Sequence, residues 1–180
     1  MPILTCIQEG EINMVYAFDT RNGYAGQADG GHIDDGGILT VTVDQATPGL
    51  RAEYIAISNK NDAACVAWIT VKQFDDTYGG AWTGDIGSEC EQASHYSEES
   101  AGKLKNDDGS DSDTDYNSRC TWLDGDHTND IAISALKFDV GAYAADKVEA
   151  TLANGACDAT IYRPDNGPIS GKTSVRFLST

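Results

Sequence analysis

The tract NDDGSDSDTD, residues 106–115, crowds carboxylates into one segment of a chain whose formal net charge is −17. Charges this close repel one another unless they are solvated, screened or shared by a cation. In an extended conformation alternate side chains share a face, so Asp111, Asp113 and Asp115 would project to one side. Three hard oxygen donors at that spacing begin a calcium site, whose shell takes about six to eight ligands, and Ca2+ is the cofactor the tract points to. The EF-hand pattern is not met. Counted from Asp111, the glycine position is Tyr116 and the twelfth position is Trp122; counted from Asp124 they are Asn129 and Ala135. A calcium site here would be built from several loops. The competing role is a solvated acidic loop with no specific ligand.

Three further constellations bear on ligands. CTWLDGDHTND (120–130) gathers Asp124, Asp126, His127 and Asn129 around an Asp-Gly turn, with Trp122 as an anchor. A histidine flanked by carboxylates suits a metal ligand or a proton carrier; the alternative is a hydrogen-bonded turn capping the strand that begins at Ile131. GQADGGHIDDGG (26–37) offers His32 and Asp34, which with Asp126 and His127 would make a transition-metal set if the two loops converged. Read locally, it is an Asp/Gly hairpin loop, and its carboxylates and lack of a P-loop lysine argue against phosphate. In TYGGAWTGD (77–85), Tyr78 and Trp82 flank a Gly-Gly turn. Exposed rings beside carboxylates suit sugar recognition by stacking and hydrogen bonding; the alternative is a Trp82 folded into the core.

No complete catalytic motif is present. G-x-S-x-G and H-E-x-x-H are both missing, and Cys65 lies in an apolar run where a thiolate is costly. Acidic residues number 29 against 12 basic, a balance that repels nucleic acid and anionic membranes. No apolar run is long enough to cross a bilayer as a helix. The partners this field favours are a neutral glycan or a basic protein.

Cysteines stand at 6, 65, 90, 120 and 157, with no C-x-x-C pair. The spacing suits two disulfides and one cysteine left over. Cys90–Cys120 would staple the acidic loop at its base, and Cys157 would pair with Cys6 or Cys65; five reduced thiols are the alternative. The N-terminal MPILTC lacks the basic and apolar regions of a signal peptide, so the chain reads as cytosolic or as a mature secreted form. The cysteines favour the second.

These residues must be positioned by strands. Turn dipeptides such as Asn22-Gly23, Asp35-Gly36 and Asp124-Gly125 punctuate the chain. Between them, EINMVYAFD (11–19) alternates Ile12, Met14, Tyr16 and Phe18, and GILTVTVD (37–44) alternates Leu39, Val41 and Val43. RAEYIAISN, CVAWITVKQF, IAISALKFDV, CDATIYRP and TSVRFLS continue the series. Only 89–103 resembles a helix, and its apolar stripe is thin. The expectation is an all-β, single-domain antiparallel β-sandwich, jelly-roll-like, over residues 1–180. It would carry an inserted acidic loop from about 87 to 120 and at most a short surface helix. A small closed barrel is the alternative.

GAWTGDIGSEC (80–90), CTWLDGDHTND (120–130) and YRPDNGPISG (162–171) resemble stretches of small secreted acidic proteins of filamentous fungi. The resemblance covers the C-terminal two-thirds. It implies an extracellular setting and a disulfide-bearing fold, and no activity. The function expected is that of a secreted acidic binding or surface-interaction protein, glycan-binding with calcium-supported loops. Tyr78 and Trp82 would stack, and Asp124, Asp126, His127 and Asn129 would line the ligand. The rivals are a carboxylate- or metal-dependent glycan-active enzyme and a surface or effector protein without enzymatic activity.

Overall fold

The computed structural model describes residues 2–7, 10–106, 108–144 and 147–171. In chain order the strands are β1 (Pro2–Ile7), β2 (Gly10–Phe18), β3 (Tyr24–Ile33), β4 (Ile38–Thr42), β5 (Asp44–Gln45) and β6 (Tyr54–Asn59). They continue as β7 (Ala64–Lys72), β8 (Tyr78–Thr83), β9 (Ser94–Lys105), β10 (Asp111–Leu123), β11 (Ala135–Asp139) and β12 (Thr160–Arg163). Two short helices are present among the described residues, α1 (Gly84–Glu89) and α2 (Val148–Gly155).

Every pairing is antiparallel. The first sheet runs β4-β1-β7-β10-β9, and the second β12-β11-β6-β2-β3-β5. β8 pairs with β7 over Trp68–Lys72, the stretch that β1 already holds along the other edge. β8 therefore follows β10 along one side of β7. Ile12, Val15, Ile55, Ile57, Leu136 and Phe138 of the second sheet meet Val66, Ile69, Val71, Trp82 and Leu123 of the first in one core. The architecture is the expected all-β sandwich.

Three expectations are corrected. The alternation of Ile12 with Met14, Tyr16 and Phe18 breaks, because Asn13 is an extra residue between Ile12↔Asn59 and Met14↔Ser58. Such a bulge inverts which face the following residues occupy. Ile12 packs inward, while Met14, Tyr16 and Phe18 cluster with Tyr54 on the outer face. Glu89 ends α1 and the rest of 89–103 is not helical, and 87–120 is not a loop: most of it is β9 and β10, which form a long hairpin closed at Asn106–Ser110 by Gly109 donating to the Asn106 carbonyl. A thin apolar stripe cannot hold a helix against a core, whereas a strand next to β10 satisfies its backbone groups. The disulfides are Cys65–Cys120 and Cys90–Cys157. Cys120 lies with Cys65 in the outer cluster of the first sheet, whereas Cys90 packs against the main core. The segment 173–179 and the Cys6 side chain lie outside what is described.

β7 carries the same device. Cys6 faces Trp68 and Ile7 faces Val66, so Ala67 is an extra residue. Ala64 and Val66 point inward, then Ile69 and Val71 do; Cys65, Ala67 and Trp68 join Cys120 and Trp122 on the outside.

The outer face of the second sheet holds an unusual residue, Lys137 of β11, with no exposed surface. Its ammonium lies 3.5 Å from the Phe18 ring centre and 5.3 Å from that of Tyr54. It donates to Asn22 Oδ1, to the Ile169 carbonyl at 3.1 Å and to the Gly171 carbonyl at 3.0 Å. Burial pulls its pKa down from 10.5 to about 8. The chain after β12 returns over this face and covers it.

Candidate functional site

Strand alternation positions a large cleft among the described residues. In β8, Trp82 faces Ile69 and enters the core, so Ala81 and Thr83 point the opposite way, with Thr70 beside Ala81. These three residues floor a cleft of about 1150 Å³. Its walls are α1, Tyr116 of β10, the turn Gly141–Tyr143 with Ala144, and the end of α2 with Leu152, Ala156 and Cys157.

Small residues let these walls approach. A Cβ on Gly80 would lie 2.2 Å from the Val140 carbonyl, so only glycine allows β8 to meet the 140–144 segment. Likewise a Cβ on Gly84 would lie 2.2 Å from the Arg119 carbonyl, which presses α1 onto β10. Thr121 Oγ1 donates to the Gly84 carbonyl at 3.0 Å from the same contact. Cys90–Cys157 joins the end of α1 to the turn after α2, and Thr151 of α2 donates to the Ala142 carbonyl at 2.6 Å.

Polar groups are few and fixed. The Asp85 carboxylate accepts the Arg119 backbone N–H at 3.0 Å and the Tyr116 hydroxyl. Burial, and then that hydrogen bond, push the Tyr116 phenol up to about 12. Tyr143 is likewise pushed up to about 12 by burial; it donates to the Ala156 carbonyl at 2.8 Å and lies 2.9 Å from Thr160 Oγ1. Both phenols therefore stay protonated at any ordinary pH, as donors rather than bases. Glu89 stands exposed at the rim. Leu152 is 52% exposed and presents a large apolar side chain at the mouth.

The residues singled out from sequence lie mostly elsewhere. Trp82 is fully buried; its indole N–H donates to Thr160 Oγ1 at 3.3 Å and its ring centre lies 6.4 Å from that of Phe138. It cannot stack on a sugar at the surface. The Tyr78 backbone belongs to β8, and its side chain lies outside what is described. Asp124 is also fully buried, accepting from Thr128 N at 2.8 Å, Thr128 Oγ1 at 2.6 Å and Asp126 N at 3.2 Å. Burial pushes its carboxyl up, but these donors outweigh that and hold it below the usual range. It builds a turn rather than meeting a ligand. Asp126, His127 and Asn129 ring that turn on the outside, His127 and Asn129 in left-handed backbone. The shared hydrogen bond with Asp124 raises the Asp126 pKa.

The acidic tract meets lysines. Asp111 pairs with Lys105, and Asp115 with Lys103 at 2.7 Å. Four residues of β10 there span only two of β9, so Asp113 falls in a bulge and the three aspartates form no regular ladder. His32 Nε2 lies 3.6 Å from Asp34 Oδ1 in a separate polar groove with Asp35 and Asp62; Asp126 and His127 are not part of its lining. Among the described residues, no three His, Cys, Asp or Glu side chains come together as a metal ion would need.

Sequence reasoning missed Asp85, Glu89 and Tyr116. One signal was legible: Asp85 and Glu89 are four apart in TGDIGSE, the spacing that shares a helix face. No protein-family model matches the chain, and no match was found among curated proteins or solved structures.

Proposed function

We propose that this protein is an extracellular, non-catalytic binding protein that holds a small molecule with an apolar body in the cleft between β8, α1 and α2. The observation that carries this reading is the cleft itself. It is large for the chain, walled by small and apolar residues, and braced by a disulfide between two of its walls. Ligand sites commonly combine such walls with a few fixed polar groups. The polar groups here are already oriented by hydrogen bonds, and both phenols stay protonated with their O–H groups committed to Asp85 and to the Ala156 carbonyl, which suits a fixed recognition surface better than proton transfer by either phenol. Two disulfides are compatible with an oxidising compartment, and the resemblance of three segments to secreted proteins points the same way.

The test uses N-phenyl-1-naphthylamine, an uncharged fluorophore that brightens in apolar sites. Saturable one-to-one binding is expected, weakened about tenfold or more in Ala81→Trp, which fills the floor from an exposed position. Circular dichroism checks that the variant stays folded. Non-saturable binding, or equal binding by the variant, refutes the reading.

A further inference from the structure

The cleft's charge is one-sided. Asp85 and Glu89 stand four residues apart on α1 and both line it. Among the described residues, neither carboxylate is ion-paired with a lysine or arginine. The cation nearest in sequence to the Asp85 contact, Arg119, is committed elsewhere: its guanidinium lies 4.2 Å from the centre of the Tyr96 ring and donates to the Tyr96 hydroxyl at 2.8 Å. The contrast with the β9–β10 hairpin is informative. There Asp111 and Asp115 each have a lysine across the ladder, whereas Asp85 and Glu89 line the cleft without one among the described residues. The two carboxylates face a largely apolar volume.

We propose that the cleft selects organic cations: an amine seated against Asp85 and Glu89, with its apolar portion lying over Ala81 and against Leu152 and Ala156. This rests on the cleft being a binding site. The geometry supplies both halves of the recognition. Glu89 at the rim meets the incoming charge, while Asp85, already oriented by the Arg119 N–H and the Tyr116 hydroxyl, holds an acceptor deeper in. Partial enclosure lowers the local dielectric and strengthens the attraction over that at an open surface. The same field rejects an anion of equal shape, so selectivity comes from repulsion as well as attraction.

Three indoles of matched size test this: tryptamine as cation, tryptophol as neutral and indole-3-propionate as anion. Each is titrated calorimetrically at neutral pH and about 150 mM salt, where screening over roughly 8 Å suppresses the remote field. Tryptamine should bind about tenfold or more tighter than indole-3-propionate, with tryptophol between them. Glu89→Gln should reduce that ratio, and Asp85→Asn with Glu89→Gln should bring it near unity. Asp34→Asn with Asp35→Asn removes the same charge in the separate groove beside His32, outside the cleft lining, and should leave the ratio unchanged. Tryptamine binding no tighter than tryptophol, or equal effects of the two double variants, overturns the proposal. If N-phenyl-1-naphthylamine binds and tryptamine does not, cation selection fails while the cleft stands. If neither binds, the cleft reading itself has failed.

Discussion

Lys137 makes the alkaline stability of this protein unusual in sign. In the unfolded chain its ammonium titrates near 10.5; in the fold, burial brings that to about 8. Below pH 8 both states are protonated, and the folded state carries the full cost of a buried charge. Between about pH 8 and 10.5 the unfolded state binds more protons, so this group raises stability as pH rises. The difference between the two pKa values corresponds to roughly 3 kcal/mol in all, of which about 2 kcal/mol is recovered between pH 7.5 and 9.5. Tyr116 and Tyr143 act in the opposite direction, because a phenol raised from 10.0 to about 12 by folding loses stability as pH climbs through that range. The measurement must therefore isolate the lysine. Guanidinium unfolding of the wild type and of Lys137→Met at both pH values gives a double difference in which the tyrosines cancel. The wild type should gain about 2 kcal/mol more than the variant between pH 7.5 and 9.5. A double difference of zero, or of opposite sign, refutes the account. It would mean that the carbonyls of Ile169 and Gly171, the Asn22 amide and the Phe18 ring hold the ammonium as well as water does.

Two further outcomes follow from the core and the cross-links. Trp82→Ala should cost about 3–5 kcal/mol in denaturant unfolding, the range for removing a large buried aromatic; a loss below about 1 kcal/mol would mean that Trp82 is not in the core. Non-reducing peptide mapping should recover Cys65 linked to Cys120 and Cys90 linked to Cys157, and a Cys90–Cys120 peptide would contradict the strand order. The separations of 55 and 67 residues give about 4 kcal/mol each by loop-closure entropy, so Cys65→Ala with Cys120→Ala should lower the midpoint accordingly.

Some of this molecule is legible along the chain. Leu39, Val41 and Val43 alternate, and the structure points all three at the core. Some of the Gly and Asn turns mark strand ends because positive φ is required there, as at Asn22 and Gly36, whereas residues 26–33, which read as part of an Asp/Gly loop, belong to β3. The segment 77–85 lines the cleft, but not through the side chain that stands out in the sequence. Trp82 is the conspicuous residue, yet Ala81 and Thr83 face the cleft. Which side of a strand is inside depends on what packs against it, and a single segment does not carry that information. The turn at 120–130 was legible as a turn for its Asp-Gly pair, while the burial of Asp124 follows from Ser134 and Thr128 folding back on it.

The sequence by itself determined the class of fold, the acidity and some of the places where the chain reverses, such as Asn22-Gly23 and Asp35-Gly36. These depend on a two-residue period and on local backbone preferences, and both act over a few residues. The tertiary structure alone decided the rest. The bulges at Asn13 and Ala67 each invert a face through one extra residue. The disulfide partners were chosen by strand order, since β10 lies on β7 and brings Cys120 to Cys65. Lys137 sits on the side its alternation assigns, and is buried only because residues more than 30 positions later return over it. The cleft exists because glycines let β8, β10 and two short helices close on one another. Contacts of that kind join residues tens of positions apart, and their register is set by the packing of whole sheets rather than by any pattern within a strand.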